Sequence, residues 1–276
     1  MDLKELLIKH NFRFNKALGQ NFISDVNLLD AIIGDSGVSE DDTVVEIGAG
    51  AGTLTQRLSL KAKRVVAFEV DENLKAVLQD GLNGLENVTL VFKDVLRMRD
   101  AEIAELTDGV PFKVVANLPY YVTTDMVMRF LESRLDVSSV TVMVQREVAD
   151  RFTALPATPE YGAITMGINI RGNAKKMRDV PRTVFYPVPN VDSAVVRIDT
   201  DKNKFDGENL PFISALAKTA FRMRRKTFVN NLTATFKVER AEAEAALAAC
   251  GIQLMARGET LHVDDIVRLS RVLKQK

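Results

Sequence analysis

The stretch Thr43-Val44-Val45-Glu46-Ile47-Gly48-Ala49-Gly50-Ala51-Gly52 decides the fold. A short β-branched run ends in alternating glycines, and a helical pattern follows over 52–61. A glycine turn between a strand and a helix lets a ligand approach the backbone closely. The spacing is G-x-G-x-G, not the G-x-G-x-x-G of dinucleotide binders. Working outward, Arg64–Glu69, Val88–Phe92, Lys113–Asn117 and Val140–Gln145 repeat the first run, several of them apolar nearly throughout. Such runs suit strands covered on both faces. Helices are predicted over 72–82 and 123–134. The β-α-β-α-β order predicts an α/β fold with a doubly wound, mostly parallel sheet. Ala163–Asn169 and Ala194–Ile198 read as two more strands at the far edge.

After them the composition changes. Asp199–Asn209 is polar and contains glycine, and reads as a linker. Beyond it the pattern is helical over 211–222, 227–235, 239–250 and 264–274. The expected division is therefore an α/β domain over 1–198, a linker over 199–209 and a small all-helical domain over 210–276. A length of 276 residues suits one large and one small domain. No apolar run approaches the roughly 20 residues of a membrane span, and the N-terminus has no apolar leader region. One cysteine excludes an intrachain disulfide, and one cysteine with two histidines argues against a metal site. The cytoplasm is the expected compartment. Net charge is zero, yet residues 171–186 carry five basic residues against one acid, and 218–226 carry five against none. A phosphate-binding face is compatible with such clustering, although charge alone favours solvated helix and loop faces.

Three strand ends carry polar groups suited to one ligand. Glu69 ends the second strand, where a carboxylate can accept from two ribose hydroxyls. Asp94 follows the third and can accept from an exocyclic amine. The fourth runs into Asn117-Leu118-Pro119-Tyr120. The Asn117 oxygen and the backbone carbonyl of Leu118 or Pro119 can accept both N–H bonds of an adenine amine. That amine is otherwise a poor nucleophile, because its lone pair is delocalised. Tyr120 offers a flat face for a base. Such a site needs no metal and works by positioning.

With these motifs in hand the chain resembles the ribosomal RNA adenine dimethyltransferases of the bacterial kasugamycin-resistance type. The resemblance covers nearly the whole chain. It runs through Leu18-Gly19-Gln20-Asn21-Phe22, Glu46 to Gly50, Asn117 to Tyr120, Gln145 to Arg151, Glu160-Tyr161-Gly162, Phe185 to Val196 and Phe221 to Leu232. It implies a Rossmann-like methyltransferase sheet and S-adenosylmethionine as methyl donor. Asn21, Ile23, Gly48, Gly50, Glu69, Asp94 and Asn117 would line the cofactor site. The target would be two adjacent adenosines in a hairpin near the 3′ end of 16S rRNA in the small ribosomal subunit. Phe185 would stack on the flipped adenine opposite Tyr120. Lys175, Lys176 and Arg178, with Arg222, Arg224, Arg225 and Lys226, would hold RNA phosphates, and the protein would act as a monomer in ribosome biogenesis. Two positions depart from the family pattern: Ala49 stands where Pro is expected, and Tyr121 where Asn is expected. A large-subunit adenine methyltransferase that confers antibiotic resistance would share the cofactor and Asn117 motifs. An assembly checkpoint factor with secondary catalysis is the other alternative.

Overall fold

The computed structural model describes residues 3–15, 18–119 and 122–274. The chain divides into two compact units, Met1–Ala149 with Lys175–Thr200, and Asp150–Ala174 with Asp201–Lys276. In chain order the elements up to the target-loop region are α1 (Leu3–Lys9), β1 (Phe22–Ile23), α2 (Val26–Ser36), β2 (Thr43–Ile47), α3 (Thr53–Ser59), β3 (Arg64–Glu69), α4 (Lys75–Gly81), β4 (Val88–Phe92), α5 (Asp100–Leu106), β5 (Phe112–Asn117) and α6 (Thr123–Leu131). Then come β6 (Val137–Gln145), α7 (Arg146–Phe152), α8 (Ala163–Arg171), β7 (Gly172–Val180), β8 (Phe185–Tyr186) and β9 (Ser193–Thr200). The chain ends in α9 (Leu210–Ala220), α10 (Phe228–Phe236), α11 (Arg240–Ala249) and α12 (Val263–Lys274).

The first unit is built on a seven-stranded sheet of order β4-β3-β2-β5-β6-β9-β7. From β4 to β6 neighbouring strands are parallel, and β9 runs antiparallel to β6. All five residues of β2 are buried, Thr43 and Glu46 among them, as in a strand covered on both faces. The winding reverses between β2 and β5, which are direct neighbours. An open parallel sheet leaves a crevice at the carboxyl ends of two such strands, and ligands bind there. A separate two-stranded ribbon pairs Phe22 with Tyr186 and Ile23 with Phe185. It ties the N-terminal segment to the loop before β9.

Two expectations need correction. Ala163–Asn169 is not a strand but most of α8. Apart from Thr165, Gly167 and Asn169 the run is apolar, so its pattern does not separate a buried strand from a buried helix. Local capping decides: the Thr165 hydroxyl accepts from Gly162 N at 3.2 Å and donates to Arg151 O. Met166 and Ile170 of α8 then join Leu216, Phe228, Leu247 and Ile266 in the core of the helical unit. Residues 150–174 therefore group with the helices rather than with the 1–198 domain expected from sequence. Second, the basic stretch after Arg171 forms β7, at one edge of the sheet. Its charged residues are what an edge strand tolerates. β9 extends to Thr200, and Asn209 caps α9 by accepting from Phe212 N at 3.1 Å, so the linker is shorter than 199–209.

Among the described residues no helix is long and apolar enough to cross a membrane.

Candidate active site

The turn after β2 holds three glycines in the left-handed region, Gly48 at φ 76°, Gly50 at φ 57° and Gly52 at φ 82°. Gly48 N and Ala49 N both donate to Phe68 O, at 2.9 and 3.0 Å, which seats the turn on the end of β3. At Gly50 a β-carbon would lie 2.9 Å from the Phe22 ring, so only glycine lets the N-terminal segment close over the turn. Ala49 is buried and leaves this geometry intact.

Glu69 is the organising carboxylate. Its Oε2 accepts from Gly50 N at 2.8 Å, and its Oε1 accepts from Val70 N and Asp71 N at 2.8 and 2.9 Å. Burial pushes its carboxyl above the ordinary range, and the three backbone donors partly offset that. The side chain thus fixes the glycine turn against β3.

Sequence reasoning gave no separate role to Glu46. Its side chain is buried inside β2, and neither carboxylate oxygen has a hydrogen-bond partner among the described residues. Desolvation, with the charge of Glu69 nearby, pushes its carboxyl up to about 8, and the Thr55 hydroxyl beside it lowers it only in part. An orphaned acid in a fully buried strand demands an explanation. Glu46 borders a cavity, although both of its carboxylate oxygens are themselves buried. The signal was visible in sequence, as one acid inside Thr43-Val44-Val45-Glu46-Ile47.

That cavity, of about 430 Å³, lies at the carboxyl ends of β2, β3, β4 and β5. It brings together Asn21, Ile23, Gly48, Gly50, Glu69, Asp94, Asn117, Leu118, Pro119 and Phe185. Asp94 is partly engaged, since Oδ1 accepts from Leu96 N at 3.0 Å and Oδ2 pairs with the exposed Arg97 at 3.2 Å. Phe185 is 4% exposed and is set in place by the β1–β8 ribbon. Tyr120 and Tyr121 lie outside the described residues.

Asn117 is held in one orientation. Its Nδ2 donates to Asn21 O at 3.0 Å. A carbonyl can only accept, so the amide oxygen must be the free end. Of the two candidate carbonyls, Pro119 O already accepts from Val122 N and the Thr123 hydroxyl, each at 3.2 Å. Leu118 O accepts no hydrogen bond among the described residues. Asn117 Oδ1 and Leu118 O are therefore the pair of open acceptors at this strand end.

The basic stretches fare unevenly. Arg178 pairs with the largely buried Asp35 through Nε and Nη2, the latter at 2.8 Å. Lys176 pairs with Asp179 at 3.4 Å, and Lys175 is exposed. In the second unit Arg222 donates to Thr235 Oγ1 at 3.1 Å and Arg224 to Pro159 O at 3.2 Å. Arg225 and Lys226 are exposed, with no side-chain partner among the described residues. The buried Asn231 donates to Ala220 O at 3.1 Å, and so pins α10 beside the turn that presents them.

Comparison with known proteins agrees with this geometry. The chain is 44% identical over 283 residues to "Ribosomal RNA small subunit methyltransferase A" of Enterococcus faecalis, covering 99% of this chain and 94% of the relative. It is 41% identical over 278 residues to the protein of the same name from Bacillus pumilus, covering 99% and 95%. A dimethyladenosine transferase from Plasmodium falciparum shares the fold, with TM-score 0.78 and 22% identity over 92% of this chain and 98% of that one. The 23S rRNA methyltransferase ErmE superposes with TM-score 0.71 and 26% identity, covering 92% and 100%. The description "Ribosomal RNA adenine dimethylase" matches residues 11–275, and the chain belongs to that family.

Proposed function

We propose that the protein transfers methyl groups from S-adenosylmethionine to N6 of two adjacent adenosines in a hairpin near the 3′ end of 16S rRNA, within the small ribosomal subunit in the cytoplasm. One observation carries the reading: a single cavity joins the glycine turn, the ribose-type acceptor Glu69 and the fixed Asn117 amide. The higher identity to small-subunit relatives than to the large-subunit enzyme ErmE supports the choice of subunit. Isolated small and large subunits incubated with labelled cofactor test it: label is expected in the small subunit, and label in the large subunit alone would reverse the assignment.

The residues fit the cofactor on two counts. The glycine turn presents the side-chain-free backbone of Gly48 and Gly50 on the cavity wall, and Glu69 and Asp94 bring two carboxylates to it. Glu69 would take the ribose hydroxyls and Asp94 the adenine amine. When bound, S-adenosylmethionine supplies an electrophilic methyl carbon on its sulfonium. Asn117 Oδ1 and Leu118 O accept the two N–H bonds of the target amine. They hold its nitrogen in line and favour the charge that develops as its lone pair leaves the ring. Phe185 would cover one face of the base, and Tyr120 would cover the other.

Glu46 makes cofactor binding depend on pH. Its raised value leaves it protonated in the free protein near pH 7, whereas a cofactor ammonium in the adjoining cavity favours the carboxylate through space. Binding then releases a proton, and affinity rises between pH 6 and 7.5 by up to about ten-fold per unit. It should fall again as the ligand's amine loses its proton near about pH 8. Calorimetry in buffers of different ionisation heat reads the proton directly. Glu46→Gln should remove the rise below pH 7.5; a rise that persists in Glu46→Gln would assign it to another group.

RNA phosphates would be met by Lys175 in the first unit and by Arg225 and Lys226 in the second, with Arg222 and Arg224 beside them. Replacing Arg225 and Lys226 by Ala should reduce the slope of log K against log salt by roughly 1.4–1.8. Cofactor affinity should stay unchanged. An unaltered slope would remove this turn from the RNA interface.

A further inference from the structure

The first unit carries a second cavity, also of about 430 Å³, whose lining shares no residue with the first. It opens at the end of β6, between Gln145 to Glu147 and the loop from Arg182 to Asp192. β6 is the parallel neighbour of β5, and Met143 sits opposite Asn117 in the register. Gln145 is two residues further along, so the cavity lies about one strand spacing, 4.8 Å, and two residue rises, about 3.3 Å each, from the Asn117 backbone. It is on the same edge of the sheet, and Phe185 of the first cavity is three residues from Arg182 of the second.

We infer that this cavity receives the base of the nucleotide adjoining the target. The inference rests on the reading that an RNA base enters beside Asn117. A base delivered on a polynucleotide brings its neighbours with it, and this concave surface lies on the same edge of the sheet as Asn117. Its chemistry selects a base over a phosphate. Arg146 is partly neutralised by Asp179 at 3.5 Å, and the carboxylates of Glu147 and Asp192 face the same space, so an isolated anion meets as many negative as positive groups. A neutral flat ring with polar edges suits it better. Guanidinium planes stack on bases, and carboxylates and amides read their edges. Val191 is 44% exposed and forms an apolar wall without a covering partner in this unit. The frame is fixed by the loop itself: Arg182 Nη1 donates to Asn190 O at 3.1 Å, Arg182 N to Asp192 Oδ1 at 2.9 Å, and Arg146 N to Asp192 O at 3.1 Å.

The test crosses two changes. Val191→Asp alters an exposed side chain and should not disturb folding, and Arg182→Ala is its companion. Each is assayed with intact small-subunit rRNA reconstituted into subunits, and with RNA abasic at the nucleotide before the first or after the second of the two target adenosines. For the wild type, one of the two abasic substrates should lose about ten-fold in kcat/KM. Val191→Asp should show a similar loss on intact RNA and less than two-fold further loss on that abasic substrate, with cofactor affinity unchanged by calorimetry. Losses that multiply, or abasic sites on neither side having an effect, would overturn the pocket while leaving the methyltransferase reading standing. Absence of any methyl transfer by the wild type would overturn that reading and the pocket with it.

Discussion

Asn117→Ala should lower single-turnover methyl transfer by about a hundred- to a thousand-fold, the effect expected when one preorganised group facing developing charge is lost. The same substitution removes the bond from Nδ2 to Asn21 O, which anchors the cofactor-side segment. That is a neutral bond, worth about 1 kcal/mol, so cofactor affinity should fall by no more than about five- to ten-fold. The two magnitudes separate the roles: a large change in the chemical step and a small one in binding mark Asn117 as a residue that acts on the target amine. Isothermal titration with rapid-quench assays of one turnover measures both. Weak cofactor binding with normal single-turnover chemistry would show that Asn117 belongs to the cofactor site alone.

Glu69→Ala should weaken S-adenosylmethionine binding by about ten- to a hundred-fold from the loss of a charged acceptor for the ribose. The structure adds a second cost. Gly50 N, Val70 N and Asp71 N all donate to this carboxylate, and its removal leaves the glycine turn without its tie to β3. Glu69→Gln keeps an acceptor on one side only and should fall between wild type and Ala. Circular dichroism confirms that the fold survives, and calorimetry reads the affinity. Unchanged binding in a folded Glu69→Ala protein would move the ribose elsewhere.

The sheet was legible because its strands are buried on both faces and therefore carry mostly apolar runs. β2, β3, β4, β5 and β6 overlap the expected segments closely. The same feature hid α8. Ala-Ile-Thr-Met-Gly-Ile-Asn-Ile is apolar enough to fit either a buried strand or a buried helix, and only the capping by Thr165 and the company of Met166 and Ile170 separate them. β7 went unseen for the opposite reason, since an edge strand needs no apolar continuity and Gly172 to Val180 is mostly polar.

The site residues announced themselves as polar groups at successive strand ends, and the structure brings those of them that are described into one cavity. What sequence did not disclose is which polar atoms are already engaged. Nothing in Asn117-Leu118-Pro119 shows that Pro119 O is occupied while Leu118 O is open, because the partners, Val122 and Thr123, depend on how α6 begins. Arg178 looked like its basic neighbours until Asp35, 143 residues away in sequence, appeared as its partner. Long-range pairings of this kind leave no local trace.

The account is tested most directly by mapping methylated bases after the protein is incubated with unmethylated small ribosomal subunits and S-adenosylmethionine. It predicts N6,N6-dimethyladenosine at two adjacent positions in a hairpin near the 3′ end of 16S rRNA, and at no other adenine. Methylation confined to other positions, or its absence from small subunits while large subunits accept it, would contradict the account.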